Sequence, residues 1–292
     1  MQVAFLYAVI VLIWGSTWAA IPFQLGVVAE EVSVAYRFAL GSLALFIYAA
    51  ASGRRMRIPL DQYGMVIVMG SLMFSANYLF TYYSINYVTS GLVAVAFSLM
   101  IIANSIFERV FFKRVLEPRL VLASLFGIVG ISCLFWPEVK SFDLADKSFY
   151  GVVLALVAVL FASLGNMAAI SNTSRQLPVI AVNAHGMAWG ALTSVIAAVI
   201  LGREFSFSME TGYIVSLAYL AIFGSAVAFG CYLALLRQIG SARAAYTSVL
   251  FPIVALLIST VVEDYQWSGP AIAGIAFTFA GNWLALTRIK RN

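Results

Sequence analysis

The chain has 292 residues, of which 63% are hydrophobic and 10% charged, with a net charge of +5 and a mean hydropathy of +0.98. A soluble domain usually carries about 25% charged residues, so a pair of water-soluble domains of this total length is excluded. The basic excess is scattered over short connections, which excludes a nucleic-acid surface, and the apolar runs lack the alternation of a porin-like barrel.

Such runs need lipid, where each segment must pair its own backbone N–H and C=O groups and therefore folds as a helix. A spanning helix needs about 20 mostly apolar residues, and ten are predicted. The first, Phe5–Phe23, has no positively charged leader before it and is expected to be retained, with Pro22 as its terminator. Val32–Ala51, Tyr63–Tyr83, Ser90–Phe107 and Pro118–Trp136 complete one set of five. Phe149–Ile170, Val179–Leu201, Tyr213–Leu236, Ala244–Val262 and Trp267–Leu286 form a second. The longest connection, Pro137–Ser148, separates a first unit at 1–136 from a second at 149–288. Cys133 and Cys231 fall inside spans and are expected as small packed thiols, with a disulfide as the lesser alternative.

Basic residues near helix ends stay on the cytoplasmic side. Arg54, Arg55, Arg57, Arg109, Lys113, Arg114, Arg119, Arg175, Arg237, Arg243, Arg288, Lys290 and Arg291 fall on the side of the N-terminus. Only Lys140, Lys147 and Arg203 fall opposite, among the acidic Glu30, Glu31, Glu138, Asp143, Asp146, Glu204, Glu210, Glu263 and Asp264. Both termini are thus expected in the cytoplasm of a bacterial-type inner membrane. One span more or fewer would mix the two classes of loop.

The halves repeat weakly. At a spacing of 150, Tyr63, Ser75, Ala76 and Tyr82 fall on Tyr213, Ser225, Ala226 and Tyr232. At 151, Ser90, Ala94, Phe126 and Gly130 fall on Ser241, Ala245, Phe277 and Gly281, and Ala123 meets Gly274. Five spans per copy is an odd number, so the second copy inserts upside down. The expected fold class is all-α integral membrane: ten transmembrane helices as two inverted five-helix repeats around a central cavity. Inverted repeats around a midplane site are the architecture of many secondary transporters.

The motif IWGSTWA (Ile13–Ala19), the segment from Thr89 through Gly130, and GSARAAYTSVLFPIVALLISTVVEDYQWSGPAIAGIAFTFAG (Gly240–Gly281) together resemble the drug/metabolite transporter superfamily, EamA type. The resemblance covers nearly the whole chain. Length and aromatic content are similar to those of the YddG-like exporters of aromatic and other amino acids. It implies a central cavity with access alternating by rocking of helix bundles. Ile101 stands opposite Pro252 and Phe112 opposite Glu263, so the two halves are not expected to gate symmetrically.

Small residues let helix backbones approach closely in lipid, and Gly127, Gly130, Gly224, Ser225, Gly230, Gly274 and Gly281 are expected at such crossings. In the third span Phe74, Tyr78 and Tyr82 follow four-residue spacing along one stripe, beside a polar stripe of Asn77, Thr81 and Ser84. Aromatic walls with amide and hydroxyl groups suit an amino acid, so Asn77, Tyr78 and Tyr82 are expected in the cavity, whereas Tyr83 and Tyr87 are assigned to the interfacial belt. Trp14, Ser16 and Thr17 in the first span are further substrate-binding candidates, as are Ser163 and Asn166 in the sixth. Asn104, Tyr246 and Ser248 complete the set in the fourth and ninth. Each has a plain alternative as an interhelical hydrogen bonder.

Arg37, His185 and Pro252 are the candidates for gating. Arg37 lies near the outer end of its span and can snorkel or pair with Glu30 or Glu31, the alternative being contact with a substrate carboxylate or gate. His185 is expected as a neutral hydrogen bonder near the cytoplasmic end, with a proton relay as the lesser reading. Pro252 removes a backbone donor and frees a carbonyl near Ser248, as a kink or a hinge. No Asp or Glu falls in the middle of a span, so carboxylate-based ion coupling is not expected. Catalytic motifs, paired intramembrane carboxylates and a metal-ligand cluster are missing from the sequence. No enzyme activity or cofactor is therefore expected, and the partners are a small-molecule substrate and the bilayer. A channel or membrane enzyme is the rival class, and purines, amines or drugs are the rival substrates.

Overall fold

The computed structural model describes residues 2–115, 117–141, 147–262 and 267–287. Asp143, Asp146, Glu263, Asp264, Arg288, Lys290 and Arg291, weighed above, lie outside the described residues. Among the described residues nine helices are long and apolar enough to cross a membrane. They are Gln2–Gln24, Glu30–Ala51, Leu60–Ile85, Leu92–Phe112, Ser148–Ser174, Val179–Ile200, Thr211–Ile239, Ser241–Ile258 and Gly269–Leu286. The expected fifth span is the shorter apolar helix Pro118–Leu134. At 1.5 Å per residue its 17 residues reach about 26 Å, just short of a hydrocarbon core of about 30 Å. A short helix, Trp136–Ser141, follows it. The spans are numbered first to tenth below, with Pro118–Leu134 as the fifth.

Packing follows the exchange that an inverted repeat demands. The second span lies along the seventh and the fifth along the tenth, each pair being repeat counterparts. The third packs on the sixth as the eighth packs on the first, and the first packs on the ninth as the sixth packs on the fourth. The protein is thus two inverted five-helix repeats.

Regular α-helix is interrupted at matching places. The third span contains a π turn at Leu72–Ala76 and the eighth another at Ile222–Val227, 150 residues apart at their starts. Each is gripped by a glycine of the partner repeat's second helix. A Cβ on Gly41 would stand 3.1 Å from the Ala221 carbonyl, and one on Gly190 would stand 2.9 Å from the Gly70 carbonyl. A π turn widens the helix and swings the next residues around its axis. Phe74 and Tyr78 still share a stripe, both packing on Phe38 and Phe229, but Phe74 is fully buried and does not line the hollow.

The ninth span is broken between Ser241–Ala244 and Thr247–Val262. Tyr246 N donates to Arg243 O at 3.2 Å, Ser248 N to Ala245 O at 2.9 Å and Val249 N to Tyr246 O at 3.2 Å, all three-residue bonds. The loss of α geometry therefore lies one to two turns before Pro252, which sits inside the following helix. The fourth span is likewise interrupted at Leu99. The two breaks meet, because Ser248 Oγ donates to Ala245 O at 2.7 Å and reaches Phe97 O at 3.4 Å.

Glycines set the fifth–tenth crossing. A Cβ on Gly130 would lie 2.9 Å from the Gly274 carbonyl, and one on Gly281 would lie 2.9 Å from the Ala123 carbonyl. Gly127 abuts Tyr246 and Gly224 abuts Thr17 and Arg37, but Gly230 meets nothing within 4 Å and is not a packing glycine. Cys133 and Cys231 are free and half-buried. Forcing a side chain into a filled contact costs about 1–3 kcal/mol. Gly130→Val is expected to lower the melting temperature in detergent by several degrees while Gly230→Ala leaves it unchanged, as read by gel filtration after heating.

Candidate functional site

Between the repeats lies a hollow with a cavity volume of about 100 Å³. Its walls are Trp14, Thr17, Trp18 and Ile21 of the first span, Arg37 of the second, and Met73, Asn77, Tyr78, Thr81 and Tyr82 of the third. The fourth span adds Phe97 and Met100, the sixth Ala162 and Asn166, the eighth Phe229 and Tyr232, and the ninth Ser248 and Phe251. The interrupted third, fourth, eighth and ninth spans all reach it. Irregular backbone at membrane depth is tolerated where it lines a cavity or is covered by protein.

Aromatic rings form most of the wall. Trp14 packs on Phe229 at 5.0 Å and on Tyr232 at 5.2 Å, while its indole Nε1 donates to Gly224 O at 3.1 Å. Trp18 stacks on Phe251 at 5.9 Å. Arg37 is 2% exposed, and its Nε donates to Ser225 Oγ, in the second π turn, at 3.0 Å. Its guanidinium carbon stands 4.6 Å over the Tyr78 ring and 5.4 Å from that of Phe38. The expected pairing of Arg37 with Glu30 or Glu31 does not form. Glu31 accepts from Arg203 Nε at 3.2 Å and from the Tyr83 hydroxyl, and Glu30 accepts from Asn86. Tyr83 is thereby a fastener between the second and third spans rather than only a belt residue.

Of the expected substrate-binding residues, Trp14, Thr17, Asn77, Tyr78, Tyr82, Asn166 and Ser248 line the hollow, and Ser16, Asn104, Ser163 and Tyr246 do not. Ser16 turns to the eighth span, where its Oγ lies 2.6 Å from the Tyr219 hydroxyl. Tyr246 is fully buried, wedged between Gly127 and Gly281, and donates to the Ala123 carbonyl. Ser163 is buried with no hydrogen-bond partner for its Oγ. His185 lies away from the hollow, bridging Tyr63 and Met56. Its Nε2 faces the Met56 carbonyl at 3.0 Å and donates to it, and Nδ1 lies 2.9 Å from the Tyr63 hydroxyl. Trp18, Phe97, Met100, Phe229, Tyr232 and Phe251 join the wall unanticipated. Only their spacing from interrupted helices on the partner repeat brings them there, and no local pattern announces it.

A buried polar chain leads away from one end of the hollow. The Tyr232 hydroxyl donates to Asn166 Oδ1 at 3.1 Å, Asn166 Nδ2 reaches Asn104 Oδ1 at 3.4 Å, and Asn104 Nδ2 reaches the Ser241 carbonyl at 3.3 Å. Ser241 N and Oγ both donate to Glu108 Oε1, the backbone bond being 3.0 Å, and Arg114 Nη1 meets Glu108 Oε2 at 3.0 Å. Arg243 pairs with Glu117 at 2.7 Å beside it. The fourth span of one repeat is thus latched to the start of the ninth in the other. Asn104 belongs to this latch and not to the wall. Glu108 was passed over because it stands one residue beyond the expected span end, where an acid reads as solvated.

Two spanning repeats that enclose an aromatic-walled hollow with polar groups, joined beside it by a latch across the repeats, are the construction of a membrane transporter of the drug/metabolite type. The sequence profile of the EamA-like transporter family matches residues 1–136 and 149–287. The chain belongs to that family. It is 22% identical to the protein PagO of Salmonella typhimurium, covering 98% of this chain and 95% of that one. It is 21% identical to the transporter YoaV of Bacillus subtilis, over 85% of this chain and 84% of that one. It is 24% identical to the inner membrane transporter YedA of Escherichia coli K12, over 85% and 79%. A solved crystal structure superposes with a TM-score of 0.80 at 18% identity, covering 97% of this chain and 96% of the other, which shows the shared fold.

Removing the latch carboxylate leaves the Ser241 N–H and Arg114 without their acceptor, favouring an open end. In a Cys133→Ala, Cys231→Ala background, Glu108→Ala is expected to raise maleimide labelling of Ala162→Cys from the Glu108 side about five-fold, roughly 1 kcal/mol in the open–closed balance.

Proposed function

We propose that this protein exports small metabolites, amino acids including aromatic ones foremost, by alternating access across a bacterial-type inner membrane. The observation that carries this reading is the aromatic-walled hollow between inverted repeats, with a polar latch at one end that crosses from one repeat to the other. Its mostly apolar lining with a few polar groups suits a small molecule. Trp14, Trp18, Tyr78, Phe229 and Phe251 offer ring faces for an apolar or aromatic side chain.

The latch end carries Arg109, Lys113, Arg114, Arg119, Arg237 and Arg243, which by the positive-inside rule puts it, with both termini, in the cytoplasm. The resting state is then closed to the cytoplasm. Release of Glu108 from Ser241 lets the start of the ninth span swing at Ala245–Tyr246, before Pro252. His185, with both ring nitrogens engaged, fastens the third span to the seventh.

No Asp or Glu lines the hollow among the described residues. The substrate's own gradient then drives flux, since ion-coupled carriers usually place a carboxylate at the site.

Proteoliposomes test the reading. Labelled L-phenylalanine is expected to show saturable counterflow whose initial rate an imposed pH gradient leaves unchanged. Trp14→Ala should raise KM about ten-fold, the loss of a stacking surface worth roughly 1.4 kcal/mol, while Ser16→Ala should not. Counterflow of purines or amines with none of any amino acid would overturn the substrate class, and flux that never saturates would overturn the carrier.

A further inference from the structure

Arg37 is the exceptional arginine of this protein. Arg114, Arg203 and Arg243 each have a carboxylate partner. Arg37, far more buried than any of them, has none among the described residues, and its Nη1 is enclosed with no acceptor at all. A buried cation without a counter-charge is costly. The Tyr78 ring and Ser225 Oγ offset part of that cost. Their placement also orients the fork. Ser225 occupies Nε, and Gly224, packed closely on Thr17, lets the guanidinium approach the eighth span at Nη2. Arg37 lines the hollow, and its unsatisfied Nη1–Nη2 edge, once the hollow opens beside it, matches a carboxylate in two parallel bonds.

A second orphan lines the same hollow. Asn77 is 8% exposed, and its Nδ2 reaches the carbonyl of Met73 at 3.4 Å. That bond turns Oδ1 away from its own helix, and Oδ1 has no donor. An orphan acceptor and an orphan cation in one aromatic-walled hollow are complementary to a molecule bearing an ammonium and a carboxylate. Both anchors owe their position to the π turns. Ser225, which holds Arg37, lies within Ile222–Val227, and Asn77 directly follows Leu72–Ala76.

We infer that Arg37 and Asn77 form a zwitterion clamp, in which the guanidinium takes the α-carboxylate of the substrate and the Asn77 amide oxygen takes its ammonium. This rests on the amino-acid reading above and assigns the recognition of the backbone end, leaving the rings to the side chain.

The test separates the clamp from transport. Trp14 and Trp18 report binding by fluorescence in the purified full-length protein, with no flux required. The probes are L-phenylalanine, 3-phenylpropionate (no ammonium), phenethylamine (no carboxylate) and sodium sulfate. L-Phenylalanine is expected to bind the wild type tightest, with each truncated probe about ten-fold weaker or more, the loss of a hydrogen bond to a charged group. Arg37→Gln should weaken 3-phenylpropionate about ten-fold or more and leave phenethylamine unchanged. Asn77→Leu should do the reverse. Melting temperature and gel filtration confirm that each variant is folded, and the wild-type probe series stands without any variant. Equal binding of all three organic probes by the wild type, equal losses for acid and amine in either variant, or sulfate matching 3-phenylpropionate would overturn the clamp. Correct probe selectivity without amino-acid counterflow would instead overturn the transport reading while leaving the clamp standing.

Discussion

Backbone amides in a bilayer have no water to bond, and every departure from regular helix must be answered by neighbouring protein. That constraint arranges this molecule. Its π turns and its breaks at Leu99 and Ala245–Tyr246 occur in four of the seven spans that wall the hollow. Each is covered from the partner repeat: Gly41 closes on Ala221, Gly190 on Gly70, and Ser248 reaches Phe97. Irregularity, inter-repeat contact and candidate site therefore coincide. The backbone that has lost its own hydrogen bonds is also the backbone able to present a cavity.

The same pairing explains why polar side chains are so deeply buried. Arg37 depends on a serine in a π turn, and Asn104, Asn166 and Ser241 satisfy one another in sequence from the floor of the hollow to Glu108. Removing any one group from such a chain strands another in low dielectric. A chain of that kind suits a two-state closure, since a half-broken chain is worse than a closed or a fully hydrated one. The opposite end is tied differently, through Glu31 to Tyr83 and Arg203. The two ends thus carry unlike polar fastenings.

The candidate site was legible where chemistry and spacing agreed within one span. Asn77, Tyr78 and Tyr82 share a face of the third span, Trp14 and Thr17 one face of the first, and all line the hollow. It was illegible where a polar residue had two equally cheap partners. Ser16 and Tyr246 read as cavity residues, yet one bonds Tyr219 and the other a carbonyl of the fifth span. Arg37 read as a snorkelling or paired cation because Glu30 and Glu31 precede it by about two turns. In the folded chain those acids point to Asn86, Tyr83 and Arg203.

By itself the sequence determined that the chain spans lipid, nearly where each span runs, that it is a duplication with an odd number of spans per copy, and its family resemblance. These follow from hydropathy and loop charge, which act locally and survive without knowledge of neighbours. Only the tertiary structure decided which side chains meet across the two repeats: the Glu108 latch, the unpartnered Nη1 of Arg37, the orphan oxygen of Asn77, and the burial of Phe74 behind the wall of the hollow. Those depend on helix rotation and on contacts between residues more than a hundred positions apart, and an apolar sequence carries no local signal of either.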